Sequence, residues 1–151
     1  MLIACEEIDL AVSPFAGPGF DPDTGELLAP LQPPYIVATT IGWPKPEPQY
    51  FEELGMHSEA VVGEIFANEG LIGASFGGSE ACGNARTLSI WADEEALMDF
   101  VFSGAHLAAM PIVATSMLSW ETTHWTETES PEIPTWDTAT QKLIEAHAEG
   151  N

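Results

Sequence analysis

The chain has 151 residues, enough for one domain with a sizeable core, and its 45% hydrophobic content excludes a disordered chain. Asp and Glu number 24 against Lys45, Arg86 and Lys142, a formal charge of −21. That balance argues against nucleic acid as a partner, because phosphate contacts need clustered Lys and Arg, and against anionic membrane surfaces.

Residues 1–34 read as an irregular arm. Pro14, Gly17, Pro18, Gly19, Pro22, Gly25, Pro30, Pro33 and Pro34 punctuate it, and Asp21–Gly25 is turn chemistry. Phe15 and Phe20 are the residues able to pin it onto a domain. Leu2–Ile3–Ala4–Cys5 has the form of a bacterial lipobox, so a lipidated Cys5 at the cell envelope is one expectation. Only Met1 precedes it, without the basic and apolar stretches of a signal peptide. The second cysteine is Cys82. Two cysteines make neither a disulfide framework nor a metal-binding pair, so reduced thiols and a cytoplasmic location are expected, with a Cys5–Cys82 bridge as the alternative. No apolar run approaches the ~20 residues of a membrane span.

Residues 35–151 carry regular patterns. Tyr35 to Trp43 is rich in β-branched residues and reads as a first strand. Tyr50 to Leu54 suits a short helical turn. Ser58 can cap a helix to Asn68, with Val61, Val62, Ile65 and Phe66 on its buried stripe. Leu71 to Phe76 is a second strand, and Gly77, Gly78 and Gly83 mark a loose turn. Arg86 to Trp91 alternates as a half-buried third strand. Asp93 can cap a helix with Glu94 and Glu95 in its first turn, the charge sign a helix N-terminus favours. That helix runs to Met110, and Pro111 ends it. Met117 to Thr126 is a fourth strand with Leu118, Trp120, Thr122 and His124 on one face. Thr135 starts a final helix to Ala148. The order β-α-β-β-α-β is the α+β, ferredoxin-like arrangement. Two helices cover one face of an antiparallel sheet, and the other face stays open.

Thr87–Leu88–Ser89–Ile90–Trp91 leading into Ala96–Leu97–Met98–Asp99–Phe100 and Ser103–Gly104–Ala105–His106 resembles the dimeric α/β-barrel superfamily. Antibiotic-biosynthesis monooxygenases belong to it. The pattern looks closest to spheroidene monooxygenase and a branch beside it. Pro134–Thr135–Trp136 before the last helix resembles that branch too. The resemblance implies a homodimer through the open sheet faces, enclosing a cavity for a small apolar or aromatic molecule. It also implies cofactor-free oxygenation, haem-dependent oxygenation or binding without catalysis as the activities to weigh.

His106 leads the candidate catalytic residues. In the resemblance it faces a cavity, and a haem reading makes it the axial ligand, with Phe100, Phe102, Leu107 and Met110 around the ring. Its structural role is a helix-end or core histidine. His124, between Trp120 and Trp125, is the second candidate: an aromatic box with one acid–base group suits cofactor-free oxygenation, where a base stabilises a substrate anion and apolar walls exclude water. The same tryptophans suit a dimer interface. Trp91, Trp120 and Phe100 are the expected substrate-binding residues. Arg86 either anchors an anionic ligand or pairs with a glutamate. The four histidines show no metal-ligand spacing, and no metal is expected.

Overall fold

Five strands form one antiparallel sheet in the computed structural model, which describes Cys5, Glu7 and residues 9–150. The elements are β1 (Ala11–Val12), β2 (Tyr35–Pro44), α1 (Pro48–Ala67), β3 (Leu71–Ser79), β4 (Asn84–Trp91), α2 (Glu94–Val101), α3 (Gly104–Ser116), β5 (Met117–Glu127) and α4 (Trp136–Glu149). The strand order is β1-β3-β4-β2-β5. From β2 to β5 this is the expected α+β, ferredoxin-like order, and β1 is an addition from the arm.

Residues paired across neighbouring strands share a face, so the register sorts the sheet into two layers. Ile36, Ala38, Thr40 and Gly42 of β2 lie opposite Trp91, Ser89, Thr87 and Ala85 of β4, and opposite Thr126, His124, Thr122 and Trp120 of β5. This is the helix side. Ile65 of α1 and Ala96 and Leu97 of α2 pack there against Ile36, Leu71, Ala74 and Trp91.

The second face is not open, which corrects the expectation of a sheet waiting for a partner sheet. Tyr35, Val37, Leu88 and Ile90 are buried under Phe20 and Leu31 of the arm and Ala139 of α4. Leu143 of α4 covers Ile41 and Trp43. Val37, Leu88 and Ile90 are 0% exposed within the single chain. A face-to-face dimer through this layer has no room unless the arm and α4 leave.

The arm reads as a loop because Pro and Gly interrupt it, yet its apolar residues reach across the sheet. β1 pairs with β3, Ala16 bridges Ala74, and Phe15 stacks on Phe20 at 5.1 Å. Gly73 makes this approach possible, since a Cβ there would stand 2.2 Å from the Phe20 ring. Thr135 caps α4 by accepting the Thr138 N–H at 3.1 Å, and Tyr35 donates to the Ser130 carbonyl at 2.8 Å, fixing the turn between β5 and α4.

Cys5 and Cys82 form a disulfide with a Cα–Cα distance of 5.8 Å, so the expectation of reduced thiols is corrected. The sulfur of Cys5 is thereby committed, and a lipid thioether on the same atom is incompatible with the bridge. Leu2, Ile3 and Ala4 lie outside the described residues.

Two helix boundaries also differ. α1 is one helix from Pro48, because proline at the first turn lacks only an N–H that has no helical partner anyway. The second long helix breaks at Phe102–Ser103, where Ser103 accepts the His106 N–H and starts α3; α2 and α3 meet at a 61° bend. Pro111 sits inside α3 rather than ending it. The carbonyl it deprives of a bond is that of Leu107, an exposed residue where water can substitute.

Two carboxylates make the outer fold sensitive to acid. The N–H groups of Ser130 and Glu129 hold the Glu127 carboxyl below its ordinary 4.5, and the Ser79 hydroxyl and Ala81 N–H hold Asp9 below its ordinary 3.8. A lowered folded pKa contributes stability above the unfolded value and loses it as pH falls through the folded one. Amide protection at Ser130 and Ala81 is therefore expected to fall below pH 4.5 and 3.8 respectively. Glu127→Gln should abolish the pH response at Ser130 in hydrogen-exchange NMR and leave that at Ala81.

Candidate functional site on the helix side

The turn from β4 into α2 builds the centre of the site. Asp93 accepts the Ala96 N–H at 2.8 Å, with Glu94 and Glu95 in the first turn, as the capping pattern predicts. This cap directs α2 back over the sheet. Trp91 ends fully buried, its indole N–H donating to the Ser89 hydroxyl at 2.8 Å. Phe100 stacks on Trp91 at 5.4 Å, and His106 meets Phe100 edge-on at 5.0 Å. Three of the expected site residues thus form one aromatic column from the sheet to α3. At the end of it, His106 Nδ1 is buried and has no hydrogen-bond partner among the described residues. A buried imidazole nitrogen in that state leaves one hydrogen bond unmade, which a ligand group could supply.

His124 and Trp120 share the same sheet face but stand apart from the column in exposure. Leu118, Trp120, Thr122, His124 and Thr126 alternate as exposed residues along β5. His124 Nε2 lies 3.6 Å from a carboxylate oxygen of Glu94, both groups well exposed. The enclosed aromatic box expected around His124 is therefore not formed by this chain alone, because the helix layer stops short of β5.

Arg86 departs from the expected ligand-anchoring role. It pairs with Ile41 in the register and so points to the second face. It is 3% exposed and donates to Glu7 at 2.7 Å and to the Thr140 hydroxyl at 3.0 Å, with its guanidinium 5.1 Å over the Trp136 ring. Burial pulls its pKa down, and the Glu7 carboxylate opposes this. The ion-pair alternative is the one present, though buried rather than at the surface. It binds arm, sheet and α4 together.

The residues do not fit a haem. Phe102 is 68% and Leu107 is 52% exposed, so they face away from any pocket around His106. Arg86 lies across the sheet, Lys142 sits over Trp125 on that same second face, and Lys45 is tied to the Thr115 carbonyl at the far end of α3, which leaves no Lys or Arg beside His106 for the propionates. No group of three or more His, Cys, Asp or Glu able to hold a metal occurs among the described residues.

Sequence reasoning missed one pair. His147 of α4 contacts the Glu121 carboxylate of β5, beside an open depression of about 280 Å³ lined also by Thr122, Ala146 and Gly150. Nothing in spacing links residues so far apart; only the packing of α4 on the second face brings them together.

No protein-family model matches the chain, and no curated protein does. Solved structures do. A candidate monooxygenase from Fusobacterium nucleatum superposes with a TM-score of 0.56 at 11% identity, over 72% of this chain and 49% of that one. The chain thus spans about half the length of that protein. Rv0793 from Mycobacterium tuberculosis matches with a TM-score of 0.57 at 14% identity, over 65% of this chain and 99% of that one. A mutant form of SnoaB, a cofactor-independent oxygenase from Streptomyces nogalater, gives 0.53 at 10% identity, over 67% and 98%. The chain has the antibiotic-biosynthesis-monooxygenase-like fold. At these identities the likeness establishes the fold, and chemistry has to be argued from the site.

Proposed function

We propose that this domain binds a small apolar or aromatic molecule on its helix side and oxidises it as a cofactor-independent monooxygenase. The observation that carries the reading is the unpartnered, buried Nδ1 of His106 at the end of the Trp91–Phe100 column. The fold shared with a cofactor-independent oxygenase supports it. The fitting substrate is an electron-rich phenol. His106 Nδ1 takes the phenolic proton, and the resulting anion is electron-rich enough to react with O₂ at ring carbon. One oxygen atom stays on the ring as the new carbonyl and the other leaves as water, so phenol plus O₂ gives quinone plus water. Phe100 and Trp91 supply the apolar wall that keeps bulk water from the anion.

Oxygen uptake with such phenols, with one ¹⁸O atom from ¹⁸O₂ in the quinone, is the expected result. His106→Ala should lower the rate by roughly 10²-fold or more, the usual contribution of a positioned base. Stabilisation of the fold by the phenol without turnover, lost in His106→Ala, would leave a binding domain in place of an enzyme. The absence of both oxygen uptake and stabilisation overturns the reading.

A further inference from the structure

We propose that the outer side of α3 docks on the surface of a zwitterionic lipid bilayer, the helix lying flat at headgroup level. The chain carries −21, yet the 13 residues of α3 include no Asp, Glu, Lys or Arg. Ala109 and Ser116 mark its buried inner side, and α1 is its helix neighbour. Gly104, Leu107, Ala108, Met110, Pro111 and Ala114 are exposed at spacings of three and four, so they make one outer side. A surface helix of a soluble domain puts its charges there. The other long helices of this chain do so: Glu52, Glu59 and Glu64 of α1 and Asp137, Glu145 and Glu149 of α4 are exposed. The one hydroxyl on the outer side of α3, that of Thr115, donates back to the Ile112 carbonyl at 3.2 Å, the way hydroxyls are tolerated against lipid. Phe102, 68% exposed, stands at the elbow where α3 begins.

Charge and area select the occupant. A basic partner would seek the carboxylates elsewhere on the chain, and an anionic surface is repelled by them. The outer side measures about 20 Å by 10 Å, far below the ~800 Å² per partner of a stable protein interface. A bilayer needs no matching shape, only apolar side chains able to insert between headgroups. No single helix among the described residues is long and apolar enough to cross a membrane; α2 and α3 are so only together, and they meet at 61°. α2 is held on the sheet through Ala96 and Leu97, so α3 lies on a bilayer and does not pass through it. The Leu107 carbonyl, deprived of its helical partner by Pro111, needs water and keeps the helix in the hydrated layer. The inference stands on the outer side of α3 and does not require His106 to be a base.

The test is flotation of the full chain, native disulfide intact, with phosphatidylcholine vesicles. The bound fraction is expected to rise with lipid concentration. Replacing part of the lipid by phosphatidylglycerol should lower it, and salt should restore it, as repulsion between acidic chain and acidic lipid is screened. Phe102→Ser with Leu107→Asp should weaken partition at least roughly tenfold with an unchanged circular dichroism spectrum. Phe102→Ser alone, outside both helices, should weaken it severalfold and serves where the double variant loses its fold. Leu28→Asp, an exposed apolar position on the arm, should change nothing. No flotation at any salt overturns the proposal. So does flotation that ignores Phe102→Ser, that phosphatidylglycerol strengthens, or that Leu28→Asp weakens as much. A lipid-free dimer abolished by the double variant overturns it too, since the outer side would then belong to a second copy.

Discussion

Arg86→Ala is expected to lower the free energy of unfolding by about 3 kcal/mol, read by urea denaturation followed through tryptophan fluorescence. The guanidinium is buried and contacts the Glu7 carboxylate, the Thr140 hydroxyl and the Trp136 ring. Removing it leaves a cavity under α4 and a carboxylate whose remaining side-chain donor is the Asn84 amide, at 2.9 Å. Two losses add here: the packing of a long side chain and the desolvated charge left without its counter-ion. Arg86→Met with Glu7→Gln should recover most of the loss, because an apolar replacement for a buried ion pair is often close to neutral. Arg86→Lys should not, since an ammonium cannot reproduce the two-pronged contact. A change under about 0.5 kcal/mol in Arg86→Ala would show that the pair contributes nothing to the fold.

The second large effect is that of the disulfide. Cys5 and Cys82 are 77 residues apart in sequence, so their bond closes a long loop in the unfolded chain. Loss of that constraint in Cys82→Ser, or on reduction, is expected to cost about 4.5 kcal/mol by the chain-entropy estimate. The same urea titration checks it, with and without reductant. The bridge also holds Glu7, two residues from Cys5, beside Arg86. Reduction and Arg86→Ala should therefore be non-additive, the pair together costing less than the sum. Full additivity would mean that Glu7 reaches Arg86 unaided. A bridge of this kind persists where thiols are kept oxidised.

The sheet was legible because its strands alternate. Leu118, Trp120, Thr122 and His124 were placed on one face by period alone, and the register confirms that placement. The Asp93 cap and the Trp91 strand end are equally local, whereas Phe100 and His106 become candidates only through the family that their segment resembles. Helix limits were less legible. Ser103 and Pro111 both suit a boundary, and which one acts depends on whether the Leu107 carbonyl faces solvent, a tertiary fact. Arg86 shows the limit most clearly. Its strand position fixed which face it used, but not that Glu7, 79 positions away, would be waiting there. The arm is legible in part: Phe15 and Phe20 are its expected anchors and do pack on the sheet, whereas Leu31 carries no period and its burial is decided by a sheet made later in the chain.

Early and late segments close the same layer, and this has a consequence during synthesis. The arm leaves the ribosome before the strands it covers, and α4 leaves after them. Until α4 is released, Ile41 and Trp43 lack their lid. The nascent polypeptide thus keeps a sticky flank from the emergence of β2 until α4 follows it, a window in which a holding chaperone has most to protect.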